Sequence, residues 1–399
     1  ERLRKSPLLA GAFAARLGGD EFTIVFAAVE DIDGLCAAAL QEFEHPLSVY
    51  GRELRLSVSI GASLFPGHAT DGPSLLRAAD VALFHAKEGG RNRWSLFVPE
   101  LLEVASNRFR TEQALRRAIE RGEFELLYQP EICFETLTTP IVEALIRWHR
   151  PDGQVLTPGD FLGVAERFGL VMEISDWVLK TAIQDVARLR REGWSAARVA
   201  VNMSAHQLLA EGFVTRLQTL LTQHAVPAHC IEFELTENVL QTGAGTIAVL
   251  HRLRELGVSI AIDDFGIGYS SLTSLEQLPL TRVKIDRSLV ASIDGGSRSP
   301  AIVRSIIGLS RSLGLQVTAE GVERPTQLAQ LCNDRGVQMQ GFLIARPLPV
   351  AAIGGFVRST PQFLRDLLQS LPPTREIEST GTVRALRSAA LRKRDMDGV

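Results

Sequence analysis

From residue 123 to about 350 the chain alternates short apolar or β-branched stretches with amphipathic stretches of helical length, and this rhythm restricts its fold more than any other feature. The short stretches are FELLYQP, PIVEALIRW, RVAVNMS, CIEFELTE, VSIAIDDF, TRVKID, LQVTAEGV and VQMQG. Most are separated by segments such as DWVLKTAIQDVARLRREG, AGTIAVLHRLRELG and PAIVRSIIGLSRSLG, whose apolar residues recur at helical spacing. Parallel strands need a crossover between them, ordinarily a helix, so eight such strands predict an α/β fold closed as a modified TIM-like (β/α)8 barrel. The first two strands lie too close together for a crossover and are expected to form one antiparallel pair. A doubly wound open sheet is the competing architecture, because it has the same rhythm without closure.

The flanks have different patterns. Residues 1–98 mix helix and strand. FTIVF and LRLSVSIGASLF read as strands, and GPSLLRAADVALFHAKEGG reads as a helix closed by glycines. A polar helical connector covers 99–122, and a polar, basic and flexible tail is expected over 359–399, ending in RALRSAALRKRDMDGV. That ending could touch anionic lipid as an amphipathic helix, although a solvated tail is the ordinary reading. With 399 residues, two or three domains are expected. The net charge of -3 leaves no overall basic footprint for DNA or RNA. Cys36, Cys133, Cys230 and Cys332 form no CxxC pair, which argues for a reducing compartment and against zinc or a disulfide framework. No stretch reaches the ~18 apolar residues of a membrane span. The chain begins with Glu1, and we read it as a piece of a longer protein, in which an upstream anchor could lie.

Chemistry in a parallel barrel sits at the C-terminal ends of its strands. Those ends carry Glu143 and Arg147, then Asn202, Glu234 and Glu237, Asp263 and Asp264, Lys284 and Asp286, Glu320 with Glu323 just beyond, and Gln340. The strand bodies read as otherwise apolar. A single strand-end Asp or Asn is ordinarily a cap, and a single Lys ordinarily lies on the surface. Polar groups at nearly every end of one rim do not fit that reading jointly. Carboxylates with one amide oxygen, and no clustered His or Cys, suit hard divalent cations such as Mg²⁺ or Mn²⁺. Adjacent aspartates repel, and a two-metal site for displacement at phosphorus removes that cost. Arg147 could meet a phosphodiester, and Lys284 could orient water or neutralise developing charge.

The strings YQP, EALIRW, VNMS, ELTE, DDFGIGYSSL, VKIDRSLV, TAEGVE and MQGFLIARPLP, in this order over residues 108–358, resemble the EAL domain of bacterial cyclic di-GMP phosphodiesterases. The resemblance implies a barrel with one antiparallel strand and Mg²⁺- or Mn²⁺-dependent opening of cyclic di-GMP to linear pGpG. It also implies that Glu143, Asn202, Glu234 and Asp263 bind one metal, and that Asp263, Asp264 and Glu320 bind a second. Lys284 would hold the attacking water, with Glu320 or Lys284 assisting its deprotonation, so Lys284, Glu320 and Asp264 form the catalytic set. Gln129, Arg147 and Gln340 would contact the dinucleotide. Glu237 would anchor the loop after Asp264, through which the family dimerises, and Glu323 would support the site from behind. The chain departs from the pattern in two places. Ile267 stands where a small or hydroxyl residue is more usual. Leu137 and Ile141 replace glycines of the first hairpin, so an irregular turn is expected.

RLGGDEFTIVF, LSVSIGAS and ADVALFHAKEGGRNR resemble the second half of a GGDEF diguanylate cyclase domain. Gly18 and Gly19 allow a tight hairpin, Asp20 and Glu21 could bind a cation, and Lys87 and Arg91 could reach a triphosphate. The first half is not in the sequence, and LAGA at Leu9–Ala12 stands where the family's inhibitory RxxD motif would lie. These residues are therefore not expected to make cyclic di-GMP. The reading as a whole is a cytoplasmic, homodimeric cyclic di-GMP phosphodiesterase with a cyclase-type remnant. Its rivals are a non-catalytic cyclic di-GMP receptor and a bifunctional cyclase/phosphodiesterase in the full-length protein.

Overall fold

The computed structural model describes residues 6–44, 47–49, 52–54, 56–237, 243–267, 275, 278–295, 298–332 and 334–371. The chain divides into two compact units, Glu1–Ala114 and Leu115–Val399. All four cysteines are free. No helix among the described residues is long and apolar enough to cross a membrane.

In the first unit, an antiparallel hairpin pairs Phe13–Gly18 with Glu21–Val25. A βαβ crossover then runs from strand Ile60–Ala62 through helix Gly72–Glu88 to the parallel strand Trp94–Leu96. The expected longer strand LRLSVSIGASLF is divided: Leu54 ends a separate strand, Arg52–Leu54, and Ile60–Ala62 forms a three-residue strand because its partner is three residues long. The helix begins where expected. Asp71 accepts the Ser74 amide at 2.7 Å as N-cap, Pro73 lies in the first turn, and Gly89 and Gly90 follow the last. A Cβ on Gly61 would lie 2.1 Å from the Ala79 carbonyl oxygen, so glycine there lets helix and strand backbones touch. Ala78, Ala82 and Phe97 form the small core between them.

The second unit is a closed barrel. Its strands are β1 (Phe124–Cys133), β2 (Thr138–His149), β3 (Val199–Asn202), β4 (Ile231–Thr236), β5 (Ser259–Phe265), β6 (Arg282–Ile285), β7 (Gln316–Ala319) and β8 (Gln338–Met339). Strands β2 to β8 are mutually parallel, and β1 runs antiparallel to both β2 and β8, which closes the ring and excludes the open sheet. Between strands run helices α1 (Pro158–Arg167), α2 (Val171–Arg191), α3 (Phe213–Gln223), α4 (Ala244–Leu256), α5 (Ser299–Ser312) and α6 (Pro325–Leu331), and α7 (Val350–Ser370) ends the described chain. On α2, Leu179, Ala182, Ile183, Val186 and Leu189 recur at helical spacing and are buried. Tyr128, on the outer face of β1, donates to Asp185 on this helix at 2.6 Å.

The β1–β2 hairpin is irregular, as the missing glycines predict. Leu137 takes a φ of 54°, and the register shifts between Glu131 and Cys133. Ile141, by contrast, lies inside β2 opposite Glu131 and is fully buried. The expected tail over 359–399 requires correction over its first part. Helix α7 continues through 359–370, because Thr360, Leu364 and Leu368 extend its buried stripe; residues 372–399 lie outside the described residues.

The loop after β7 is tied to the segment that follows β6. Arg324 forks onto Asp294 at 3.0 and 2.7 Å and also donates to the Ala291 carbonyl at 2.7 Å. Hydrogen bonds from Arg324 and Thr326 hold the Asp294 carboxyl down at about 2, below its ordinary value. A depressed carboxyl contributes stability that is fully present above its unfolded pKa, near 4, and is lost as pH falls toward 2. Asp294→Asn is therefore expected to lower the denaturation midpoint at neutral pH, with the gap to the parent closing between about pH 4 and pH 2. A gap that stayed constant with pH would show that the clamp does not titrate.

Candidate active site

Barrel strands direct alternate side chains inward, and at the C-terminal ends of β2 to β8 the inward residues are polar. Lys284, on β6, is completely buried among four carboxylates, Glu143, Glu234 and Asp263 from three other strands and Glu320 just beyond the end of β7. Its Nζ lies 2.6 Å from Glu320, 2.7 Å from Glu234, 3.5 Å from Glu143 and 3.7 Å from Asp263. Burial alone would favour the neutral amine. The surrounding carboxylates reverse this, led by Glu143, Glu234 and Glu320, and hold the ammonium charged well above the usual lysine range. Lys284 Nζ and Glu234 Oε1 have no well-formed hydrogen bond among the described residues, so charge alone holds that contact.

Amides tie the acids together. Asn202 Nδ2 donates to Glu143 Oε1 at 2.9 Å and to Glu234 Oε2 at 3.3 Å. Gln340 Nε2 donates to Glu143 Oε2 at 2.6 Å and to Gln129 Oε1 at 3.4 Å, and Gln129 donates to the Ala345 carbonyl at 3.1 Å. Gln340 can sit there because Gly341 follows it. A Cβ on Gly341 would lie 2.2 Å from the Val322 carbonyl oxygen. The acids respond differently to this surrounding. Burial and the charge of Glu143 raise Glu234 well above the carboxylate range. Burial and the charge of Asp263 raise Glu320 likewise, with Lys284 opposing. Glu143 is lowered, because Lys284 and the two amides outweigh its burial.

Oxygens of Asp263, Asp264 and Glu320 all lie within 4.8 Å of one another, a grouping that could hold a cation. Asp264 takes a φ of 55°, a costly conformation for a residue with a side chain, and its carboxyl is raised by burial and then by Asp263 and Asp286. Asp286 itself caps the short helix after β6 by accepting the Ser288 amide at 2.7 Å.

The remaining candidates are placed as follows. Arg147 lies four residues beyond Glu143 on the same face of β2, half-buried, with Nη1 donating to the Ile146 carbonyl at 2.8 Å. Glu237 accepts the Gly266 amide at 3.4 Å, at the start of the loop after Asp264. Ile267 is 63% exposed; Gly268 and residues 269–274 lie outside the described residues. Glu323 is exposed, and its backbone N–H donates to Gln327 at 2.9 Å. In the first unit, Gly19 and Asp20 form the hairpin turn between the paired Gly18 and Glu21, with Gly19 at φ 48°. Glu21 meets Lys87 at 3.8 Å in an exposed pair, and Arg91 takes a φ of 57° in the turn after the helix.

One expectation fails. The strand bodies are not otherwise apolar, because Glu131, Glu232 and Arg282 are fully buried inside the barrel, together with Thr318 and Gln338. A signal was available: each stands two residues from a site candidate on the same strand. A buried charge inside a strand nevertheless reads as misplaced until its partner is known.

A family model described as the EAL domain matches residues 112–347, and one described as diguanylate cyclase, GGDEF domain, matches residues 2–93. The cyclic di-GMP phosphodiesterase NbdA of Pseudomonas aeruginosa is 39% identical over 362 residues, which cover 90% of this chain and 46% of the relative. The cyclic di-GMP phosphodiesterase PdeR of Escherichia coli is 34% identical over 341 residues, covering 85% of this chain and 51% of the relative. This chain thus spans about half the length of the curated relatives it matches. The solved structure of the PaMucR phosphodiesterase in complex with c-di-GMP has a TM-score of 0.59 at 37% identity, covering 61% of this chain and 99% of that one. The EAL match takes in more than half of the residues, and the chain belongs to the EAL domain family.

Proposed function

We propose that this chain is a metal-dependent phosphodiesterase that hydrolyses cyclic di-GMP to linear pGpG at the barrel mouth. The carrying observation is the charge of that mouth. Of the residues read as ligands, five are carboxylates (Glu143, Glu234, Asp263, Asp264 and Glu320) and they surround one ammonium, Lys284, so full ionisation of this set leaves four excess negative charges, which two divalent cations would balance. The donors are hard oxygens, which suits Mg²⁺ or Mn²⁺. Glu143, Asn202, Glu234 and Asp263 would hold one ion, and Asp263, Asp264 and Glu320 the other. The relatives named as cyclic di-GMP phosphodiesterases support the substrate.

Bound cations supply Lewis-acid stabilisation of the oxygens at phosphorus and make water more acidic. The protein's own residues do the rest. Gln129, Gln340 and Arg147 bind and orient the dinucleotide, with Arg147 countering phosphodiester charge. Lys284, ringed by carboxylates, keeps its proton and positions the attacking water as a donor. Glu320, 2.6 Å from that ammonium, accepts the proton the water loses. The new bond forms between water oxygen and phosphorus, the bond from phosphorus to the ribose 3′ oxygen breaks, and that oxygen takes up a proton from solvent, to which Glu320 in turn releases the one it accepted. The product keeps a 5′ phosphate. Glu237 holds the base of the loop after Asp264, through which the chain forms a homodimer. The GGDEF-like unit regulates the barrel, and the protein works in the cytoplasm.

Incubation with cyclic di-GMP and Mn²⁺ or Mg²⁺, with and without EDTA, should yield pGpG only with free metal, as read by product chromatography. Tight binding with no product would make the chain a receptor instead. Glu143→Ala and Asp263→Asn should each abolish product while leaving the circular dichroism spectrum intact; a lost spectrum would mark the residue as structural. Divalent cation at about a hundred times its Kd should stabilise the parent by about 2.7 kcal/mol, and EDTA should reverse this. Lys284→Met should cost ~3–5 kcal/mol in EDTA, because it strands buried carboxylates against one another. A loss below 1 kcal/mol in denaturant titrations would contradict the ring as described.

A further inference from the structure

Arg282 faces the barrel interior two residues before Lys284 and is completely buried. Its Nη1 donates to Glu131 at 3.3 Å, to Thr318 at 2.9 Å and to Gln338; Nη2 donates to Gln316 at 2.9 Å, and Nε forms an ion pair with Glu232 at 2.9 Å. Thr318 also donates to Glu131 at 2.8 Å. Four of these partners repeat one relation. Glu131 stands two residues from Gln129, Glu232 from Glu234, Thr318 from Glu320, and Gln338 from Gln340, just as Arg282 stands two residues from Lys284. Because strand side chains alternate with a period of two, each partner lies on the same inner face as its site residue, about 6.6–6.8 Å deeper in the barrel. One guanidinium therefore ties β1, β4, β7 and β8 to β6 directly beneath the residues those strands present at the mouth.

This lower layer is balanced in charge. Glu131 and Glu232 face Arg282 and Arg198, and Arg198 reaches Glu232 at 3.4 Å. The mouth's excess negative charge is thus not drawn from below. We propose that Arg282 is a positioning residue: its clasp sets the height and registry at which the carboxylates and Gln340 meet cation and phosphodiester. The proposal rests on the reading of the mouth as a metal-dependent phosphodiesterase site.

Two other roles make different forecasts. A clasp that served stability alone would change melting temperature and leave the folded protein's binding constants untouched. A purely electrostatic role would be preserved by lysine, which keeps the charge and lacks the planar fork.

The test is Mn²⁺ titration followed by electron paramagnetic resonance, with kcat and KM on cyclic di-GMP, for the parent, Arg282→Lys, Thr318→Val and Gln338→Met. Arg282→Lys is expected to weaken Mn²⁺ binding and lower kcat by about 10- to 100-fold, the range seen when partners behind metal ligands are removed. Thr318→Val, beneath Glu320, should lower Mn²⁺ affinity and kcat several-fold. Gln338→Met, beneath Gln340, should raise KM several-fold with kcat held. The last two leave both ion pairs in place and decide the matter if Arg282→Lys does not fold. Folded variants with parental Kd, kcat and KM, and only lower melting temperatures, would overturn the proposal. A parent that neither binds Mn²⁺ nor turns over substrate would overturn the phosphodiesterase reading itself, and the clasp's role with it.

Discussion

Four carboxylates, three on strands and one just past a strand end, meet one buried ammonium at the barrel mouth, and the rest of the site follows from that meeting. Without Lys284 the acids would repel one another in a place where water cannot screen them. With it they are held close, yet one ammonium does not offset the cost of ionising them all, since burial and neighbouring charge still raise Glu234 and Glu320. The ring is preorganised for more positive charge. The amides of Asn202 and Gln340 complete the arrangement by restricting how each carboxylate can turn.

The barrel carries this strain by being polar in two layers. The upper layer is charged in excess and faces the mouth, and the layer centred on Arg282 is balanced and closed. Buried ion pairs seldom add net stability, because desolvation offsets their attraction. Their contribution here is better understood as geometric. A planar donor with five N–H groups can address several strands at once, which an apolar filler of equal volume cannot do. The positive φ of Asp264 fits the same picture: adjacent strand side chains ordinarily point to opposite faces, and the backbone accepts an unfavourable conformation where two neighbouring carboxylates converge on one point.

The first unit shows where pattern reading reaches its limit. Its helix and closing glycine pair were legible, because helical periodicity and a glycine stop are local signals. The length of strand Ile60–Ala62 was not, because a strand extends only as far as its partner. The same holds for α7, whose apolar positions Leu364 and Leu368 lay in a stretch that composition alone marks as polar tail.

By itself the amino-acid sequence determined the eight-strand rhythm, the antiparallel first pair and the strand ends bearing Glu143, Asn202, Glu234, Asp263, Lys284, Glu320 and Gln340. These are consequences of short-range periodicity and of the rule that strand ends gather at one rim. Only the tertiary structure decided that Lys284 lies wholly inside the ring, and that Glu131, Glu232 and Arg282 form a second layer beneath it. The sign and cost of a buried charge depend on partners far away in the chain, Arg282 lying 151 residues from Glu131, and no local pattern encodes that meeting.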